Sequence, residues 1–408
     1  MITRLKVWLS AAVLLVPLAP AAAAAGPELK LERVVMLMRH GVRSPTKAQP
    51  VPAQYSATAW PQWSVGPGLL TQRGSQGVAL LGVSDRAHFA ASGLLPATAC
   101  PADGDVTVLA SKVLRAIDTA KAWTASFAPG CGLVVEHPAR RAPDALFHPL
   151  EGEPAWFDGR RAYRGALAQA PNGGLARQMR ELTPQMRLLE RALGCAAPAC
   201  DLEHQATTLV ERPHSKPSLK GPLPIASTAS ETILLEYLEN MPMGEVGWGR
   251  ASRAEIERLL VFNAVAFDYV ERPYPIARAA AGPLARNILQ ALRKTAGPRI
   301  TLLAGHDTNI ADLGGLLGLH WQAASYPADT VPPGSALGFE LLSDAKGRHY
   351  VRAFFRSQTM DQLRNLEPLN AANPLYRGYI DIPGCGRAAD ASSCDLPTLA
   401  RIIEDRLR

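Results

Sequence analysis

Apolar residues take two textures along this chain. Towards both ends they gather into short, nearly continuous runs: Val34 to Met38, Val106 to Ala110, Ile300 to Ala304, Leu337 to Leu342 and Tyr350 to Phe355. Runs of that kind read as strands covered on both faces. Between them lie stretches with helical spacing: Leu70 to Ala91, Ser111 to about Phe127, Pro283 to Lys294, Asn309 to Leu317 and Leu396 to Leu407. Thr71 is placed to cap the first, although Gly74 and Gly77 weaken it, Ser111 the second, and Thr308 or Asn309 the fourth. Strands are also expected at Leu31 to Met38 and Leu133 to Val135, and a hairpin around Asp344 to Gly347. From about Leu150 to Gly282 the texture changes. Charged residues at helical spacing dominate Leu175 to Leu193 (interrupted at Pro184), Ser230 to Asn240 and Ala254 to Glu271, with no clear strand. The pattern predicts an α/β domain formed by 26–149 and 283–408, with 150–282 inserted as a smaller α-helical domain. Gly244 to Gly249, holding Trp248, reads as a packed loop between helices.

The first residues stand apart. Arg4 and Lys6 precede an apolar stretch from Val7 to Leu18, then Pro20 and the run Ala21 to Ala25. A charged start, a short apolar core and a small-residue end describe a signal peptide over 1–25, cut near Ala23 to Ala25. The expectation is an exported, periplasmic protein, soluble and monomeric, with no membrane span. Removing Arg4 and Lys6 takes the formal charge from +7 to +5. That excess mildly favours anionic small molecules, and without a basic stripe interleaved with aromatics it gives no case for nucleic acid. The six cysteines suit an oxidising compartment. Their spacing suggests three local disulfides, Cys100–Cys131, Cys195–Cys200 and Cys385–Cys394, and the absence of a Cys-x-x-Cys or Cys/His cluster argues against zinc.

The chemistry gathers where two strand-like runs stop. Val34 to Met38 is followed by Arg39-His40-Gly41-Val42-Arg43-Ser44-Pro45-Thr46, and Ile300 to Ala304 by Gly305-His306-Asp307-Thr308-Asn309. Open α/β sheets bind ligands at the C-terminal ends of their strands. Two guanidiniums flanking an imidazole suit an oxyanion with several equivalent oxygens, hence a phosphate. Hydrolysis of a phosphate monoester needs a charge clamp, a nucleophile and an acid for the leaving group. Arg39 and Arg43 supply the clamp, His40 the nucleophile, His306 a further phosphate contact and Asp307 the acid. No cofactor or metal is required, since guanidiniums do the charge neutralisation. Arg115 opens a helix beside the same edge, but spacing alone makes it a surface residue. A lone histidine after a strand is more often structural, and an Asp before Thr-Asn is more often a cap. Five specified residues in Arg-His-Gly-x-Arg-x-Pro, however, arise by chance in roughly one chain in ten thousand of this length.

With these residues the chain resembles the histidine acid phosphatases, on Arg39-His40-Gly41-x-Arg43-x-Pro45, Arg115 after Ala110-Ser111, and His306-Asp307. It is most similar to their periplasmic bacterial phytase type, through Thr46-Lys47, Trp60 to Trp63, Gly247-Trp248-Gly249-Arg250 and Gly305 to Asn309. The resemblance implies a phosphoglycerate mutase-like α/β fold with a smaller helical domain, and a substrate cleft between them. It implies a phosphohistidine at His40, a proton donor at Asp307, and phosphate binding by Arg39, Arg43, Arg115 and His306. Thr46, Lys47, Thr308 and the acidic Glu231 then line the cleft. One departure bears on substrate: Arg278 is followed by Ala279-Ala280-Ala281, where the phytase type usually presents a further cation. The expected activity is therefore that of a phytase or a broad acid phosphatase, with a glucose-1-phosphatase-like sugar-phosphate hydrolase as the alternative. A phosphoglycerate mutase-like phosphotransferase stands further off, on export, Arg43-x-Pro45 and the His306-Asp307 pair, and a non-catalytic periplasmic phosphate binder further still, because it needs the arginines but not His40 and Asp307 together.

Overall fold

The computed structural model describes residues 29–56, 58–170, 173–194, 200–294, 296–386, 388–390 and 392–408. The expected signal segment and Cys195 lie outside them. In chain order the elements are β1 (Lys30–Arg39), α1 (Gln72–Ala91), β2 (Val106–Ala110), α2 (Leu114–Phe127) and β3 (Val135–Glu136). Next come α3 (Gly159–Ala168), α4 (Gly174–Glu181), α5 (Thr183–Leu193), β4 (Thr208–Val210), β5 (Ser218–Lys220), α6 (Pro222–Leu238), α7 (Arg253–Leu259), α8 (Val261–Val270) and α9 (Tyr274–Arg293). The chain closes with β6 (Ile300–Gly305), α10 (Asp307–Leu317), β7 (Ala336–Ser343), β8 (His349–Ser357), α11 (Met360–Asn365), β9 (Tyr376–Ile380), β10 (Ser393–Asp395) and α12 (Leu396–Leu407).

The main sheet runs β10-β8-β7-β1-β6-β2-β3, with β9 also paired to β8. β1, β6, β2 and β3 are parallel, and β7 joins β1 antiparallel. The unbroken apolar run of β1 follows from its central place. Val35 and Leu37 enter one buried cluster with Leu303, Leu337 and Phe339, while Val34, Met36 and Met38 enter the other with Trp123 and Phe127 of α2. The first cluster also takes Leu223 and Ile233 of α6, Phe262 of α8 and Leu284 of α9. The helical stretch thus shares its core with one sheet face.

Several local expectations change. α9 runs straight through residues 282 and 283 with Pro283 inside it, so the boundary drawn at 283 falls within one helix. The expected Ala254–Glu271 helix is two, α7 and α8, and α6 begins earlier than Ser230. The helical stretch does contain a hairpin, β4–β5, whose three-residue strands are too short to show a period. β3 is two residues long, and Val134 before it is exposed. The strands β9 and β10 and the helices α3 and α11 were not anticipated. The Gly244–Gly249 loop is packed as expected: the Trp248 ring lies 4.6 Å from that of Trp60, and its indole N–H donates to Ala59 O at 2.8 Å. Cys100–Cys131 and Cys385–Cys394 are disulfide-bonded.

Two features hold the first motif in place. Gly74 of α1 lies against Val42, where any Cβ would meet the Val42 carbonyl oxygen, so the glycine that weakened the helix prediction lets α1 close on the loop. Beneath the loop, buried Asp85 accepts from Trp123 Nε1 and Arg356 Nη2, each at 2.9 Å. Arg356 Nη1 donates to Gly334 O at 2.8 Å, and Gly334 N–H to His40 O at 3.0 Å. Asp85 Oδ1 and Arg356 Nε of this fully buried ion pair have no hydrogen-bond partner, with Arg377 approaching Oδ1 at 3.7 Å, so removing either member would leave a buried charge uncompensated and disturb the loop above it.

Candidate active site

Register brings three strand ends together. Arg39 lies opposite Gly305, and Ala110 opposite Ala304, so Arg39-His40, His306 and Ser111 leave one edge side by side. His40 N–H donates to Gly305 O at 3.0 Å, and Ser111 N–H to Ala304 O at 2.9 Å.

His40 is buried, with Nδ1 2.9 Å from Gly41 O. Only a ring N–H makes that contact, so Nε2 is left bare. Burial, then Arg39, Arg43 and Arg115, hold the His40 pKa well below the ordinary 6.5. The ring therefore stays neutral at pH values where a free histidine is charged.

The three arginines differ in what they already hold. Arg39 is buried, paired with Glu231 and with Asp307 Oδ2 at 3.0 Å, and it donates to Val331 O. Arg43 donates to Ser44 O at 2.9 Å, and Arg115 to His306 Nδ1 at 3.3 Å. Neither has a carboxylate within ion-pair distance among the described residues, and the Nε of all three is buried without a partner. Burial, reinforced by Arg43, lowers the Arg115 pKa to about 10, which leaves it charged. Two half-buried guanidiniums without a carboxylate partner, facing one imidazole, make a site for an oxyanion.

His306 precedes α10, and its N–H donates to Asn309 Oδ1 at 3.0 Å. α10 begins at Asp307, two residues earlier than expected, so Asp307 sits in its first turn with Oδ1 accepting from Thr308 N–H at 2.9 Å. Burial raises the Asp307 pKa, but Arg39, Arg43 and His306 outweigh it and hold the carboxyl below the ordinary 3.8. Beside Arg39 the group is a carboxylate, not the proton carrier that the sequence reading asks for. Its protonation must come with a charge that takes the arginines away.

Two cavities open on either side of Thr308. One, of about 320 Å³, is lined by Arg43, Thr46, Lys47, Glu231, Asn263 and Asp307 among others. The other, of about 460 Å³, is lined by Lys112, His148, Glu151, Lys216, Ala280 and Asp312 among others. All ten expected site residues therefore meet here, with Glu231 acting as a partner of Arg39. Ala280 contributes no charge to the second cavity, while Arg278 turns away and donates to Arg408 O at 2.6 Å. Sequence reasoning missed His148, whose ring packs 4.9 Å from that of His306, as well as Asp144 and Lys216. None lies in a motif, so only the fold could find them. It also misread Ser111: α2 begins at Leu114 with Val113 at its cap, and the Ser111 hydroxyl points to His306 and Asp144. Among the described residues, no group of three or more His, Cys, Asp or Glu is arranged to hold a metal ion, and no helix is long and apolar enough to cross a membrane.

Comparison with known proteins gives this geometry a family. The model of the histidine phosphatase superfamily, branch 2, matches residues 30–153 and 255–356. The phytase AppA of Escherichia coli (strain K12) is 33% identical over 420 residues, covering 96% of each chain. The glucose-1-phosphatase of Salmonella typhimurium is 29% identical over 370 residues, covering 87% of this chain and 88% of its own. Among solved structures, Hafnia alvei phytase in complex with tartrate superposes with a TM-score of 0.86 at 32% identity, covering 96% of this chain and 98% of that one.

Proposed function

The chain belongs to branch 2 of the histidine phosphatase superfamily, and on that footing we propose that it hydrolyses phosphate monoesters at acidic pH through a phosphohistidine at His40. The observation that carries the reading is a buried, neutral His40 with Nδ1 tied to Gly41 O, facing the unpaired guanidiniums of Arg43 and Arg115. In the first step His40 Nε2 bonds to phosphorus while the ester P–O bond breaks. The leaving oxygen takes its proton from Asp307. In the second, water attacks phosphorus, the N–P bond breaks, and Asp307 takes back a proton. Arg39, Arg43, Arg115 and His306 hold the phosphoryl oxygens throughout.

The acid role of Asp307 depends on substrate. A phosphoryl group bound by Arg39 and Arg43 offsets the positive charge that keeps Asp307 ionised and sets a negative charge beside it, so its pKa rises in the complex. The acid optimum then belongs to kcat, which reports the complex, and not to the free enzyme.

Inositol polyphosphates such as phytate are the proposed substrate class, with Thr46, Lys47 and Thr308 meeting the outer phosphates. Support comes from the phytase relative and from Lys47, which lines the smaller cavity. Ala280 in the larger cavity favours the second reading, a sugar-phosphate hydrolase, as does the glucose-1-phosphatase relative. We further propose that 1–25 directs export to the periplasm, that the enzyme works as a monomer, and that the helical stretch from about residue 150 to the start of α9 forms the cleft-lining insertion. The family match is interrupted over part of that stretch.

The test is phosphate release at acidic pH from phytate, glucose 1-phosphate and nitrophenyl phosphate. His40→Ala should release none. Asp307→Asn should slow alkyl phosphates by about a hundredfold but nitrophenyl phosphate far less, because a good leaving group needs little acid help. Full activity in His40→Ala would overturn the nucleophile, and equal losses on both esters would overturn the acid.

A further inference from the structure

Behind His306 lies a line of contacts that the steps above leave unused. Ser111 is buried, and its Oγ stands 3.3 Å from His306 Nε2 and 2.8 Å from Asp144 Oδ2. Asp144 is buried as well, and its carboxylate accepts from Lys112 N–H at 3.1 Å and Phe147 N–H at 3.3 Å. At the opposite edge of the ring, Arg115 donates to Nδ1. A guanidinium only donates, so in this arrangement the ring proton sits on Nε2 and goes to Ser111, whose own hydrogen goes to Asp144.

A phosphoryl oxygen at the Nδ1 edge is an acceptor and needs a hydrogen there. Two forms of the ring offer one. In the neutral form protonated at Nδ1, Nε2 becomes an acceptor, and the Ser111 hydroxyl must turn away from Asp144, leaving a buried carboxylate one donor short. In the imidazolium, Nε2–H still donates to Ser111 and Ser111 to Asp144, so the one contact given up is that of Arg115 to Nδ1, which either form loses. The wiring favours the second form.

We propose that Ser111 and Asp144 are positioning residues for His306, holding its Nδ1 edge towards the phosphoryl group and stabilising the doubly protonated ring that donates to it. The proposal rests on the reading of the site given above. Other groups also face the ring: Arg115 of α2, His148 after Asp144, Arg39 and His40 at the end of β1, and Asp307 on α10. Burial first, then Arg115, His148 and Arg39, oppose the extra proton and hold the pKa of the ligand-free ring well below the ordinary 6.5, while Asp307 favours it. The bound phosphoryl charge and the Asp144 carboxylate, felt through the hydroxyl, tip that balance. The proton comes from solvent on binding and returns to it on release, so the stoichiometry of hydrolysis is untouched.

Sulfate separates this from substrate titration, because it stays a dianion through the acidic and neutral range. The experiment follows competitive inhibition by sulfate against pH, with nitrophenyl phosphate as the reporter. It compares the natural protein with Ser111→Ala, Ser111→Thr and Asp144→Asn. In Ser111→Ala, sulfate should bind about tenfold more weakly at acidic pH, the scale of one hydrogen bond to a charged group. The pH at which its affinity falls away should move down by about one unit. Ser111→Thr keeps the hydroxyl and should restore both. Asp144→Asn should shift the profile the same way, with a lower melting temperature because its carboxylate also anchors two backbone amides. An unmoved pH profile in Ser111→Ala would overturn the proposal even if turnover fell, because a purely structural role lowers activity without moving a titration. Absence of hydrolysis by the natural protein would instead overturn the reading of the site itself.

Discussion

The two cavities that meet at Thr308 both carry lysine, on opposite terms. In the smaller one Lys47 is exposed and has no ion-pair partner among the described residues. In the larger one Lys216 donates to Glu271 and, at 3.1 Å, to both oxygens of Asp312, while Lys112 is paired with Glu151 at 2.7 Å. One side offers charge to a ligand, and the other has spent it on the fold. A count of basic residues near a cleft therefore says little about its appetite for anions. The phosphate centre between the cavities shows the same contrast within a few residues. Arg39 is committed to Glu231 and Asp307, whereas Arg43 and Arg115 have no carboxylate within ion-pair distance among the described residues.

Three substitutions break that comparison. The largest effect is expected at the centre. Arg43→Ala should lower kcat/KM by about a thousandfold on every phosphate ester, large or small, because a desolvated charge aimed at the transition state is lost. A loss confined to polyphosphorylated substrates would place Arg43 in the periphery instead. Next comes Lys216→Met. It leaves Glu271 and Asp312 facing each other without their cation, and should cost about 3 kcal/mol of stability. Denaturant unfolding measures this, and KM for phytate should hardly move. A raised KM with unchanged stability would mean that Lys216 serves the ligand after all. The smallest effect is at the exposed lysine. Lys47→Met should raise KM for phytate about fivefold, fade with added salt, and leave nitrophenyl phosphate and the melting temperature alone. Salt-independent losses would rule out a simple charge contact.

Much of the site was legible because its chemistry is bound to strand ends. His40 and His306-Asp307 each follow an apolar run, and a run that is apolar at every position marks a strand buried on both faces. Helix ends were less legible. Ser111 has the composition of a cap and sits where a helix is about to start, yet its hydroxyl is drawn off by Asp144 and His306. That competition needs residues 33 and 195 positions away, so no local rule could see it. The broken helix at Leu260 and the continuous one through Pro283 were hidden for a related reason. Packing against one shared core decides whether a turn of helix survives, and a proline is tolerated where neighbouring elements fix the chain.

The chain by itself determined the reaction class, because the order Arg-His-Gly-x-Arg and His-Asp at two strand ends is a covalent fact of the sequence. It also determined the alternation of strands and helices, since hydrophobic period acts over a few residues. The tertiary structure alone decided which arginine is free, which lysine is spent and which carboxyl is ionised. Those properties depend on burial and on partners brought within about 3 Å across hundreds of positions, where charge interactions outweigh any local preference.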